Sequence, residues 1–282
     1  MLRDITLGQY YQTESVIHRL DPRVKLFGTV ICMICVFMMN NGLTFALLTL
    51  YIFMAIKLSK VPVSFMLRGL KSIAVLMVLS AGFNIFMTEG DVIFSFGVIH
   101  ITIQGVMLAL KIMVRLTYIV MGTSVLTLTT TPNRLTDGLE KGLGFLKKIR
   151  VPVHELAMMM SIALRFIPIL TEEADRIMKA QAARGACFDE GKFIDRAKAL
   201  VPVLVPLFVA AFKRAGDLAL AMEARCYNGG EGRTKMYPLE YTKADRVSYF
   251  VIIAAAASVT AARFLMPDMT GFVYELLSLT SK

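Results

Sequence analysis

The sequence predicts an all-α, polytopic membrane protein with about five transmembrane helices and a cytoplasmic domain of long helices. Three observations carry that reading. Of the 282 residues 56% are hydrophobic and the mean hydropathy is +0.62, too apolar for an ordinary soluble domain. Several stretches long enough to cross a bilayer carry almost no charge. Finally, 27 of the 31 lysines and arginines fall in three segments that such spans would leave on one side.

Residues 26–56 contain no charge, but Asn40-Asn41-Gly42 interrupts them. One helix of that length would run to roughly 46 Å, longer than a hydrocarbon core, so two short spans joined by a turn fit better. Asp21-Pro22 supplies an N-cap and an N1 proline for the first of them. A third span covers residues 70–88, a fourth lies within about 103–131, and "VSYFVIIAAAASVTAARFLM" at 247–266 is the fifth. Segment 57–71 holds Lys57, Lys60, Arg68 and Lys71 and no acid, whereas segment 88–102 holds only Glu89 and Asp91. The excess of positive charge on cytoplasmic loops then orients the chain with its N-terminus inside and its C-terminus outside. Lys111 and Arg115 fall in the outer half of the fourth span, where charge is costly. Two accounts stand: basic side chains reaching for the interface, or Arg115 facing a polar partner. The N-terminus is polar for over twenty residues and shows no cleavable signal.

This divides the chain into a membrane part at 1–131, a cytoplasmic part at 132–246, and a final span with an external tail at 247–282. Thr131 and Pro132 provide an N-cap and N1 for a helix leaving the membrane. In "HELAMMMSIALRFIPILTEEADRIMKAQAARG" apolar residues recur every three or four positions, with Pro168 expected to kink the helix. A second helical stretch, about 194–226, contains "ALVPVLVPLFVAAF". That run is 14 residues long with two prolines, which predicts helices lying under the membrane plane and not a span.

These two stretches end alike. Ala174, Ala180, Ala183 and Arg184 are matched at an offset of 41 by Ala215, Ala221, Ala224 and Arg225. A terminal arginine suits the helix dipole, and Gly185 in the position after the cap lets the first helix stop abruptly. Small alanines let the end enter a groove, where a guanidinium can grip a carboxylate with two hydrogen bonds. Such an end is a plug for a socket, and two plugs suggest two sockets.

Four cysteines form no disulfide framework. Cys32 and Cys35 make a lone CxxC inside an apolar run, which favours packing over zinc; Cys187 and Cys226 each follow one Ala-Arg pair. Basic clusters lack the interleaved aromatics of a nucleic-acid platform. Nor is there enzyme chemistry to find. "GACFDEGKF" at 185–193 resembles a P-loop, but five residues separate its glycines and Phe193 stands where Ser or Thr must bind magnesium. "GLGFLK" at 142–147 lacks the third glycine of a dinucleotide fingerprint, and "DGLEKGLG" at 137–144 lacks the rest of a phosphatidyltransferase motif. His18, His100 and His154 are scattered. A stand-alone secondary transporter would need an intramembrane acid to couple ions, and only Lys111, Arg115 and Arg263 are charged there. A membrane-anchored regulatory scaffold would carry the same docking helices.

Four segments in order resemble the transmembrane T component of energy-coupling factor (ECF) transporters, a branch of ABC-type importers. They are "GQYYQTESVIHRLDPRVKL", "TTTPNRLTDGLE", "ELAMMMSIALRFIPILTEEADRIMKAQAARG" and "ALAMEARCYNGGEGRT". The resemblance implies that each Ala-Arg-Gly signature ends a coupling helix docked on one of two cytoplasmic ABC-type ATPases. It also implies a membrane-embedded substrate-binding S component that captures a vitamin or metal ion and is reoriented by ATP hydrolysis. ATP and magnesium then belong to the partner ATPases, with no cofactor and no catalysis in this chain. Carried over by residue, Ala183, Arg184 and Gly185 form the first ATPase-docking site and Ala224, Arg225 and Cys226 the second. Cys226 departs from the glycine of the signature. A non-glycine residue at positive φ is strained, so the second helix is expected to end differently, with "NGG" at 228–230 supplying the turn two residues later.

Overall fold

The computed structural model describes residues 10–96, 99–186, 193–229, 236 and 238–265. Cys187, Gly230 and the tail after residue 265 that was expected to be external lie outside them. Among the described residues six helices are long and apolar enough to cross a membrane, in place of the five expected. The chain divides into two compact units, residues 139–238 and residues 10–138 with 239–265.

In the second of these units the short helix α1 (Val16–Arg19) leads into α2 (Pro22–Phe37), α3 (Gly42–Ser59) and α4 (Val63–Met87). A two-stranded antiparallel hairpin, β1 (Val92–Phe96) and β2 (Ile99–Thr102), follows in a segment to which the sequence reading assigned no element. Then come α5 (Ile103–Thr129), the start of α6 (Pro132–Gly142) and, near the C-terminus, α9 (Lys243–Leu265). The uncharged run does split in two, but α2 has 16 residues and falls short of the spanning helices, whereas α3 has 18. Asp21 caps α2 as expected, accepting from the Arg23 N–H at 2.9 Å with Pro22 at N1. Helix α6 starts at Pro132.

Helix α4 packs along α5, and Gly105 allows the closest approach, since a Cβ there would lie 2.9 Å from the Asn84 carbonyl. Two apolar cores result. Cys35, Val36, Met39, Leu48 and Val259 join α2, α3 and α9; Ile52, Ile56, Met66 and Leu128 join α3, α4 and α5. Cys35 is therefore a packing residue, with Cys32 against it. The outward face of α4 (Val75, Val78, Leu79, Phe83) is exposed, as a lipid-facing surface is.

Polar groups collect at the helix ends. At the end of α2, Arg115 donates from Nη2 to the Met39 carbonyl at 2.9 Å, so of the two accounts given for it the polar partner holds. Asn41 opens α3, its N–H donating to the Thr44 hydroxyl at 3.1 Å and its side-chain amide to the Arg263 carbonyl at 3.2 Å. At the opposite end, Thr242 and Asp245 form a capping box on α9: Asp245 Oδ2 accepts from the Thr242 N–H at 2.8 Å and hydroxyl at 2.7 Å. Its Oδ1 accepts from the Asp21 N–H at 2.8 Å, so one buried carboxylate serves the start of two helices 224 residues apart. Arg23 reaches Asp21 and the Leu239 carbonyl and lies 4.1 Å over the Tyr241 ring. Buried Lys25 donates to the carbonyls of Thr129 (2.8 Å) and His18 (3.3 Å).

Removing the Asp245 carboxylate leaves the buried Asp21 N–H without its acceptor and opens the capping box at Thr242. Asp245→Ala is expected to cost about 3 kcal/mol, read as a lower unfolding midpoint in detergent, against about 1 kcal/mol for Thr242→Ala. His18, outside the spans, is held between the Ser15 hydroxyl at Nδ1 (2.7 Å) and the Tyr11 carbonyl at Nε2 (3.0 Å), which makes it the neutral Nε2–H tautomer. Burial pushes its pKa below 6.5, and the Lys25 ammonium adds to this against the opposing Tyr11 carbonyl. The unfolded chain therefore binds the proton more tightly, and stability present above about pH 6.5 is lost as pH falls below it. Melting temperature should drop between pH 7.5 and 5.5 less steeply in His18→Asn than in the parent; equal slopes would exclude His18 as the source.

Candidate functional site

The unit formed by residues 139–238 is dominated by two long helices, α7 (Val153–Ala183) and α8 (Phe193–Ala224). Their sequences contain Pro168 and Pro202 with Pro206, yet each runs on as one helix. Thr171 donates its hydroxyl to the Ile167 and Pro168 carbonyls, within the turn after the proline. The prolines do not interrupt the helices, and by length and composition alone both match a spanning helix. A row of large apolar residues on α8 (Leu204, Val205, Phe208, Val209, Phe212) is exposed.

The helix ends repeat in atomic detail. At the end of α7 the Ala186 N–H donates to the Gln181 carbonyl at 3.0 Å and the Gly185 N–H to Ala182 at 3.0 Å. This pair of bonds is a Schellman cap, with Arg184 as the capping residue and Gly185 at φ +90° beyond it. At the end of α8 the Tyr227 N–H donates to Met222 at 3.0 Å and the Cys226 N–H to Glu223 at 2.8 Å. The same cap recurs with every partner shifted by 41 residues, and Cys226 takes the left-handed position at φ +55°. The expectation that Cys226 forces a different ending is thus wrong. The cap's two hydrogen bonds and the C-terminal turn outweigh a left-handed strain of about 1–2 kcal/mol. Gly229, at φ +88°, makes a further turn and not the cap.

The six predicted residues lie at these two helix ends. Ala183, Arg184, Gly185, Ala224, Arg225 and Cys226 are all exposed, three on each helix end. Neither Arg184 nor Arg225 has an ion-pair partner among the described residues. Two supports escaped the sequence reading. Glu173 and Arg214 pair at 3.3 Å, and they too are 41 residues apart, so equivalent points of the two helices brace each other. Opposite charges at the repeat offset were the available signal. His154 Nδ1 meets Glu140 at 2.8 Å, tying α6 to α7, with no spacing rule to announce it.

The sequence matches the family model described as cobalt transport protein (CbiQ) over residues 13–236. A protein of Ruminiclostridium cellulolyticum is 51% identical over 245 residues, covering 87% of this chain and 92% of that one. One from Bacillus subtilis is 49% identical over 258 residues (91% and 97%), and one from Acidaminococcus fermentans 46% over 267 (95% and 100%). All three are named energy-coupling factor transporter transmembrane protein EcfT. The chain belongs to this family. It is a multi-pass membrane protein, the transmembrane component of the ECF transporter type, as the four resembling segments implied.

Because nothing lies within 4 Å of a Cβ built on Gly185, its glycine is needed for φ alone. Gly185→Ala should cost about 1 kcal/mol and Cys226→Gly should stabilise the second end by about as much. Hydrogen exchange at the amides of Ala186 and Tyr227 checks both: faster at the first, slower at the second.

Proposed function

We propose that this chain is the membrane scaffold of an ATP-driven importer, coupling two cytoplasmic ATPases to a substrate-binding S component that takes up a vitamin or metal ion. Its N-terminus is cytoplasmic and its C-terminus external, in keeping with the distribution of lysine and arginine. Residues 132–246 form the cytoplasmic part that carries the coupling helices. ATP and magnesium are bound by the ATPases, and this chain contributes no catalytic group. Cobalt, which appears in the family's description, is one metal-ion candidate among the solutes.

The observation that carries this reading is the duplicated helix end. Two exposed arginines with no ion-pair partner among the described residues, each on a Schellman cap preceded by alanine, support two like insertions. Each guanidinium would close on a carboxylate in one ATPase, with the helix C-terminus kept short enough to enter. Arg115 is committed to the Met39 carbonyl, which weakens the case for a charged path through the spans.

Purification from mild detergent should bring down two ABC-type ATPases and one or more small apolar proteins. Arg184→Ala or Arg225→Ala should leave membrane insertion intact and weaken ATPase retention, by about 2–5 kcal/mol if the pair is buried. Lysine should substitute poorly, since a point charge lacks the planar fork. In the double alanine variant either assembly or coupling is lost. Uptake at the parental rate in that variant would refute the assignment.

A further inference from the structure

The ion pair between α7 and α8 joins each residue to its own repeat equivalent. Arg214 Nη2 lies 3.3 Å from Glu173 Oε2, and the two positions are separated by 41, the offset that relates the two helix ends. When like elements pack about a two-fold axis, residue i meets j and j meets i, so a residue meets its own equivalent only on the axis. Burial follows the same repeat. On α8 Leu207, Ala211, Arg214 and Leu218 are half-buried in one stripe at helical spacing. The positions 41 earlier, Phe166, Leu170, Glu173 and Ile177, are half-buried too. Two identical copies would set like charges against each other at the crossing; an acid on one helix and an arginine on the other make it attractive.

Arg184 stands 11 residues beyond Glu173, and Arg225 stands 11 beyond Arg214. Helix runs unbroken through Ala183 and through Ala224, so each arginine lies about 16 Å from the bridge along its own helix. With two stiff arms of equal length, the spacing of the ends follows from the angle at which the helices cross. Apolar contact is non-directional and leaves that angle loosely defined, whereas a charge pair has one best register. Among the described residues this is the one ion pair that joins the two helices; Arg176, 3.9 Å from the same carboxylate, belongs to α7 itself. Side-chain exposures of 40% at Arg214 and 22% at Glu173 keep its contribution to overall stability small.

We infer that Glu173 and Arg214 are positioning residues on a local two-fold axis, and that their ion pair fixes the spacing at which Arg184 and Arg225 are presented. This rests on the docking reading above, in which two sockets must be entered at once.

Spin labels at Ala182→Cys and Glu223→Cys, equivalent exposed positions near the two ends, report the spacing in the full chain alone, reconstituted in nanodiscs. The background carries Cys32→Ala, Cys35→Ala, Cys187→Ala and Cys226→Gly. The parent should give one narrow distance distribution by double electron–electron resonance. Arg214→Glu, which sets two carboxylates at the crossing, should shift or broaden it by about 5 Å, the effect of a 20° turn on residues about 14 Å from the pivot. Glu173→Gln, which removes the charge without repulsion, should broaden it less. Glu173→Arg combined with Arg214→Glu should restore the parental distribution, and Glu172→Gln on the exposed neighbour should leave it unchanged. In the unlabelled complex, uptake should fall about threefold in Arg214→Glu and recover in the exchanged pair. An unaltered distribution in Arg214→Glu, or a change that the exchange does not reverse, would overturn the inference. So would a changed distribution with uptake at the parental rate. Because the distances are read without partners, these outcomes are separate from a failure of docking, which the Arg184→Ala and Arg225→Ala double variant reads.

Discussion

Inside a bilayer every backbone N–H and C=O must find its partner within the protein, and this constraint organises the whole chain. Helices satisfy it everywhere but at their ends. The polar residues of the membrane-spanning unit accordingly gather at ends: Asp21 and Asp245 over α2 and α9, Asn41 and Thr44 on α3, Thr102 on α5. Arg115 belongs to the same group, since the Met39 carbonyl it contacts lies just past the end of α2, where no further turn of helix supplies a donor. A charge that is costly in hydrocarbon is thereby turned into a staple for a turn that the short α2 could not otherwise bury.

The Asp245 carboxylate shows how one group can do this for two elements. It closes the capping box of α9 and accepts the first amide of the segment that starts α2, so α9 is registered against α2. Lys25, one turn into α2, reaches the final carbonyl region of α5 in the same layer. Three helices are therefore fixed to each other at one membrane face by hydrogen bonds. Farther along, Arg115 of α5 holds the Met39 carbonyl just beyond α2, and α3 is tied to α9 by the Tyr51–Ser258 and Asn41–Arg263 bonds.

Most of this plan was legible where the signal is local. The turn at Asn40-Asn41-Gly42, the Asp21-Pro22 start, the Pro132 start and the two helix ends at an offset of 41 are short patterns with a direct backbone meaning. Illegible features fall into two kinds. Long-range partners such as Asp245 with Asp21 have no sequence spacing to betray them, since the distance between them is set by folding. Cys226 was misjudged because conformational preference was weighed residue by residue, whereas the helix end is stabilised by two hydrogen bonds at once. Pro202 and Pro206 did not hide α8, whose helical stretch was read at about 194–226. A proline removes one intrahelical donor, and a helix of 32 residues carries on around it. The hairpin at 92–102 was passed over because its alternation is brief and it sits between two stronger helical signals.

The two plugs share a backbone and differ in what that backbone displays. Gln181, Ala182, Gly185 and Ala186 at the first end are replaced by Met222, Glu223, Cys226 and Tyr227 at the second. The first end thus offers its arginine among small neutral groups, the second beside a carboxylate, a thiol and a phenol. An identical cap means that neither difference alters where the guanidinium starts from. On the docking proposed here, two sockets could then receive the same helical insertion yet distinguish the ends by chemistry, and Glu223 in particular would ask for a donor that the first socket has no use for. On that docking, the unlike neighbours of the two arginines suit two different sockets better than two identical ones.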